Sequence, residues 1–253
     1  MSSFIFYLIV YPILLFSSMF IGRRTAIRSL KKKHQWKPTG LESGLMGFYA
    51  LLISFTLVQS GNHASERNAM IHTIADDMSE VLRISTTYEP GLHARVKAHY
   101  ADLYKIIKTP FGYSSIEVSN RIRKIDKLDD SLDREMYQYI AQKPQARESI
   151  IKLLAKTDRM ESIYYRLMHS YNETIPQMIL LILVLFSMFI GFLIGFVEKF
   201  YDNHVHIIPI TFVVISVIIL NVIHDLDNPN IGFIKPNFND ITEVMQSFKI
   251  ETN

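Results

Sequence analysis

The chain has 253 residues, 49% of them hydrophobic, a formal net charge of +3 and no cysteine. Without a thiol there is no disulfide, no thiolate metal site and no Cys nucleophile. The apolar residues gather into four runs free of Asp, Glu, Lys and Arg (residues 4–21, 43–61, 175–197 and 203–223), a pattern that excludes an ordinary water-soluble domain.

Each run is long enough to cross a hydrocarbon core of about 30 Å at about 1.5 Å per residue. Residues 62–174 are charged throughout, and no bilayer could hold them. The expected fold class is therefore an all-α integral membrane protein. It has four transmembrane helices in two hairpins, with an amphipathic helical block inserted between the second and third. The expected domains are a first hairpin at 1–61 with a basic loop at 22–42, the polar block at 62–174, a second hairpin at 175–224, and a polar tail at 225–253.

Run one is rich in aromatics and carries Pro12 near its centre, where a kink is expected. Its leader has no basic side chain and the run exceeds a signal-peptide core of about 7–15 residues, so it reads as a retained anchor. Arg23, Arg24, Arg28, Lys31, Lys32, Lys33 and Lys37 follow it with no acid among them. Between two spans, Arg23, Arg24, Lys31, Lys32 and Lys33 are expected to meet anionic lipid headgroups rather than nucleic acid.

In run two, Ser43, Gly47, Ala50, Ser54 and Gly61 form a stripe of small residues, with Leu45, Phe48, Leu52, Phe55 and Gln59 expected on the other side. Gly47 and Ser54 are candidates for close helix packing. So are Ser187, Gly191 and Gly195, a small-xxx-small series in run three, within or between subunits. Run two leads into an apolar stripe at Met70, Ile74, Met78 and Val81 without a turn signal, which predicts one rod interrupted at most at Gly61.

Three further helices follow. Leu92, Val96, Tyr100, Leu103 and Ile107 mark one between Pro90-Gly91 and Thr109-Pro110. Ser114-x-x-Glu117 resembles a capping box opening another, with Val118, Ile122, Ile125, Leu132 and Met136 inward. Beyond Lys143-Pro144, Leu153, Leu154, Met160, Ile163, Leu167 and Tyr171 mark the last. Asp126, Asp129, Asp130 and Asp133 are expected on a solvated face.

Enzymatic chemistry finds no foothold. There is no phosphate-binding glycine loop, no H-E-x-x-H and no G-x-S-x-G. No intramembrane carboxylate is available for a proton relay or an aspartyl protease. Asp202, His204 and His206 are expected at a membrane interface rather than on a metal, so no metal, cofactor or enzyme activity is expected. Asp225, Asp227, Pro229 and Gly232 mark a polar turn at the mouth after run four, where carboxylates can attract a cation.

The ordered set resembles the bestrophin superfamily, in its bestrophin-like bacterial branch. Gly47-Phe-Tyr-Ala-Leu-Leu51 is similar to the Gly-Phe-Tyr stretch of the bestrophin second span. Ser54-Phe-Thr56 with Glu66-Arg67, Ile175-Pro176, and Asp225-Leu-Asp227-Asn-Pro229 through Gly232 resemble further branch segments in the same order. The resemblance covers most of the chain. It implies an oligomer, a pentamer if the analogy extends that far, in the inner membrane of a bacterium. It also implies an ion channel lined by the second span, with Phe48, Leu51 and Phe55 as hydrophobic constrictions and small ions as the cargo.

Two features depart from bestrophins proper. Gln59-Ser60-Gly61-Asn62 replaces the Arg-Trp pair after the second span, and Phe233-Ile-Lys-Pro-Asn237 stands in place of the acidic calcium clasp. Calcium gating and anion selectivity therefore do not carry over. A non-conducting membrane sensor or scaffold, binding a partner through its helical block, stays open beside the channel. Orientation stays open too, because the basic cluster and the bestrophin architecture put the block on opposite sides.

Overall fold

A computed structural model describes residues 5–33, 40–109, 115–200, 207–228 and 233–250. Among these residues the chain is helical, with no strand. Eight helices are α1 (Phe6–Lys31), α2 (Leu41–Ser85), α3 (Pro90–Lys108), α4 (Ser115–Gln142), α5 (Arg147–Ser170), α6 (Gln177–Phe200), α7 (Ile207–Asp227) and α8 (Asn239–Ser247). Four of them, α1, α2, α6 and α7, are long and apolar enough to cross a membrane. The chain divides into two compact units, residues 1–63 with 174–234 and residues 64–173 with 235–253.

In the first unit, α1 opens with a π-helical turn at Phe6–Val10, closed by the Tyr11 N–H on the Phe6 carbonyl. Pro12 follows at once; it brings no N–H of its own, so the irregular turn falls where a kink was expected. The helix continues to Lys31. Arg23, Arg24 and Lys31 therefore lie on a helix and not in a loop, because Ala26, Leu30 and the basic side chains are good helix formers. Lys32 and Lys33 occupy the turn beyond it.

The most extensive helix pairing in this unit joins α1 to α6. The expected first hairpin, α1 against α2, is not among the substantial pairings. Glycine explains the preference. A Cβ added at Gly22 would collide with the Phe192 carbonyl, and one at Gly195 with the Met19 carbonyl. These two backbones approach as closely as helices can when side chains are missing at the contact. Tyr11, Leu15, Leu183, Ile190, Leu220 and Ile223 fill the core beside them.

The second unit is a helical bundle with its own core. Ile74, Met78, Val96, Tyr100, Ile125, Met136, Leu153 and Leu167 are among the side chains it buries. Pro90 opens α3 at its first turn, where a missing N–H costs nothing. The Arg121 guanidinium donates to the carbonyl oxygens of Ile107 (3.3 Å) and Thr109 and so satisfies the end of α3. The capping Ser114 lies outside the described residues.

Two expectations change here. The tail at 225–253 is not a separate polar segment: α8 buries Ile241 and Met245 in the second unit's core. Its Thr242 hydroxyl meets the Tyr104 hydroxyl at 3.0 Å, and Asp240 pairs with His72. Asp129, expected in solvent, is buried; it occupies a core position between Ile125 and Leu132. The rod, by contrast, is continuous. α2 runs through Gly61 without interruption, and at 45 residues it is more than twice the about 20 residues a bilayer requires.

Candidate functional site

Two places in the first unit concentrate the chemistry. The first is the outward face of α2. Tyr49, Ile53, Thr56 and Ser60, at spacings of four, three and four, are the residues that the first-unit part of this helix buries. None of them belonged to either stripe expected from the sequence. Phe48, Leu51, Phe55 and Val58 are exposed, Leu51 and Phe55 by about two thirds.

Gly47, Ala50 and Ser54 are exposed as well. At about 100° per residue the exposed residues Gly47, Phe48, Ala50, Leu51, Ser54, Phe55 and Val58 form one arc of roughly 160° turned away from the buried stripe, while Leu45, Leu52 and Gln59 are half-buried. A Cβ at Gly47 would meet no atom within 4 Å, so its backbone makes no close approach within the chain. Ser54 returns its hydroxyl to the Ala50 carbonyl at 2.8 Å, which removes a bare donor from an apolar face. Phe48 leans toward α6, its ring 5.5 Å from that of Phe186.

The small residues of α6 behave differently. Ser187 is fully buried and donates to the Val184 carbonyl at 2.7 Å. Gly191 and Gly195 lie against Leu15 and Met19 of α1. The hydroxyl-bearing side chains of Tyr11, Tyr49, Ser187 and Ser216 gather here, one from each candidate span. Sequence reasoning took Tyr11 only as one of the aromatics of run one and Tyr49 only as part of the Gly-Phe-Tyr stretch. Their signal was the hydroxyl, which in an apolar bundle must find polar company.

The second place is the end of α7. Asp227 is buried, and both its oxygens lie 2.9 Å from the backbone N–H of Ile175, the residue ahead of Pro176 and α6. The His63 ring nitrogen Nδ1 stands 3.7 Å from the same carboxylate, an ion pair whenever the imidazole is protonated. Asp227 thereby ties together α2, the entry to α6 and the end of α7. Asp225, two residues earlier, does other work. It accepts the N–H groups of Phe233 (2.6 Å) and Ile234 (3.0 Å), which fixes the returning chain.

A cavity of about 350 Å³ opens beside this knot, lined by Phe6, Tyr7, Ile175, Leu180, His224 and Asp227 among others. Pro229 and Gly232 of the same motif lie outside the described residues, as do Asp202, His204 and His206. No cluster of His, Asp and Glu able to hold a metal occurs among the described residues.

The basic side chains Arg23, Arg24, Lys31, Lys32 and Lys33 are all exposed. Arg24 lies over the Phe20 ring at 4.4 Å, a placement that keeps an apolar stem and a charged head together.

No protein-family model matches the sequence, and no curated protein matches it. Solved structures do. Two mutants of a bacterial bestrophin homolog from Klebsiella pneumoniae superpose with TM-scores of 0.62 and 0.61 at 15% and 14% identity. The first match covers 95% of this chain and 97% of the other, the second 98% and 94%. A structure described as a membrane protein matches with a TM-score of 0.60 at 16% identity, covering 98% of each chain. The likeness is one of fold, and it extends over nearly the whole length of each partner.

Proposed function

We propose that this chain, bestrophin-like in fold, forms an oligomeric ion channel in a bacterial inner membrane, with its pore lined by α2. The observation that carries the reading is the arc from Phe48 through Leu51 and Phe55 to Val58. It is apolar, exposed and set opposite the buried stripe of the same helix. Residues 43–61 contain no charged group, as a passive hydrophobic constriction requires. In such a pore Phe48 and Phe55, two turns apart, form narrow rings that block ions by excluding water. The small arc at Gly47 and Ser54 then faces a neighbouring copy.

The Asp227 knot suits the mouth of the same assembly. It anchors the second, third and fourth spans at one level, so movement of α2 near His63 is felt where α6 begins. The basic residues at the end of α1 bind anionic headgroups and set the depth of the subunit in the bilayer.

The test is electrical. Phe48→Ala in reconstituted protein should raise single-channel conductance, because the substitution widens and wets the constriction. Unchanged conductance in an intact oligomer would remove Phe48 from the pore. Absence of any current from intact wild-type oligomer would favour a non-conducting sensor or scaffold that binds a partner through its helical unit.

A further inference from the structure

The second unit contains a buried acid–base centre that the channel reading does not use. His99 of α3 and Asp129 of α4 face each other with Nε2 and Oδ1 3.1 Å apart. Both residues are more than nine-tenths buried. Neither ring nitrogen of His99 and neither carboxylate oxygen of Asp129 makes a hydrogen bond among the described residues, so the contact between them is one of charge. A histidine so placed pairs as an ion with Asp129 when it holds a proton, and leaves an uncompensated buried carboxylate when it does not.

The surroundings add further acids. Asp126, Asp130 and Asp133 share α4 with Asp129, and Asp158 and Glu161 come from α5. Asp77 of α2 is also buried. Arg159 pairs with Asp77 at 3.4 Å, Lys156 with Glu80 at 2.7 Å, and Arg95 with Glu135 at 3.2 Å. Arg123, Lys124, Lys127 and Arg134 are exposed to solvent. The Tyr165 hydroxyl bridges Asp126 and Glu161.

We infer that His99, Asp129 and the carboxylates Asp126, Asp133, Asp158 and Glu161 form a proton-binding centre that tightens the packing of α3, α4 and α5 when protonated and loosens it when deprotonated. Its ligand is the proton, so the helical unit reports pH.

The titration supports this sense. Burial pushes the Glu161 carboxyl up to about 7; the Tyr165 hydroxyl opposes the shift, and Asp129, Asp126 and Asp158 reinforce it. Burial, reinforced by neighbouring carboxylates, also raises Asp133 and Asp158. A raised carboxyl means the folded unit holds protons that the unfolded chain releases. The contribution of Glu161 to stability is then full below about pH 4.5 and is lost as pH rises through about pH 7.

The experiment is hydrogen exchange on the full chain in nanodiscs at about pH 6 and about pH 8, corrected for intrinsic rates. Peptides from α3, α4 and α5 in the wild type should lose about tenfold in protection at the higher pH. Glu161→Gln, which mimics the protonated carboxyl, and Asp129→Asn, which removes the buried carboxylate left uncompensated when His99 is neutral, should lose less than about twofold. Glu161 is only partly buried, so the isosteric change there keeps the fold and decides the matter if Asp129→Asn fails to assemble. Protection that is independent of pH in the wild type overturns the centre. So does an undiminished loss in Glu161→Gln.

Discussion

Gly195 and Gly61 carry the same missing side chain to different ends. At Gly195 an added methyl would run into the Met19 backbone, which cannot swing aside as a flexible side chain could. Gly195→Ala should therefore destabilise the first unit by about 1–3 kcal/mol, read as a lower melting temperature in detergent. Gly61→Ala is the control, since its Cβ would meet nothing within 4 Å and alanine favours the helix by about 0.5–1 kcal/mol. Equal melting of the two variants would show that the α1–α6 contact is looser than described. The small-xxx-small spacing made Gly195 visible in the sequence, but the same kind of spacing drew attention to Gly47, which has no close neighbour in the chain. Spacing identifies a face; it does not say what covers it. Asp225 and Asp227 teach the same lesson, for a turn with two acids was legible while their division between Phe233 and Ile175 was not.

At the scale of elements, long periodic helices were read well and short or interrupted stripes poorly. The α3 residues expected inward, Leu92, Val96, Tyr100, Leu103 and Ile107, are all buried. In α4, the gap of seven between Ile125 and Leu132 should have pointed to position 129 on the same face. The aspartate there was discounted for its charge, and only a facing His99 makes its burial possible. The nine residues of α8 are too short to announce a helix, although Ile241, Val244, Met245 and Phe248 follow its period. Removing residues 239–253 should take Ile241 and Met245 out of the second unit's core, each worth about 1.5–3 kcal/mol of burial, and uncover the side chains packed against them. The expected outcome is faster proteolysis within α2 and α3 of the truncated protein. Unchanged cleavage would mean that α8 covers nothing of consequence.

For the whole molecule the open quantity is copy number. Phe48, Leu51, Phe55 and Val58 are left exposed by the chain's own helices, and lipid or another subunit must cover them. The channel proposal requires the subunit. Native mass of the nanodisc-extracted protein should then be an integral multiple of 29.4 kDa, five-fold if the bestrophin likeness extends to assembly. A monomer would sink the pore, because four interdigitated spans leave no room for one.

The sequence by itself determined the helical class, the four apolar segments and the continuity of α2, because hydrophobic length and period are local properties of the chain. It also carried the bestrophin-like order of motifs. Pairing of α1 with α6, burial of Asp129 against His99, the place of α8 and the outward turn of the α2 arc were decided only in the tertiary structure. Each depends on which face meets which partner. A helix carries its period in its own residues, but the group that neutralises a buried charge, or the backbone that a glycine admits, comes from a segment far along the chain.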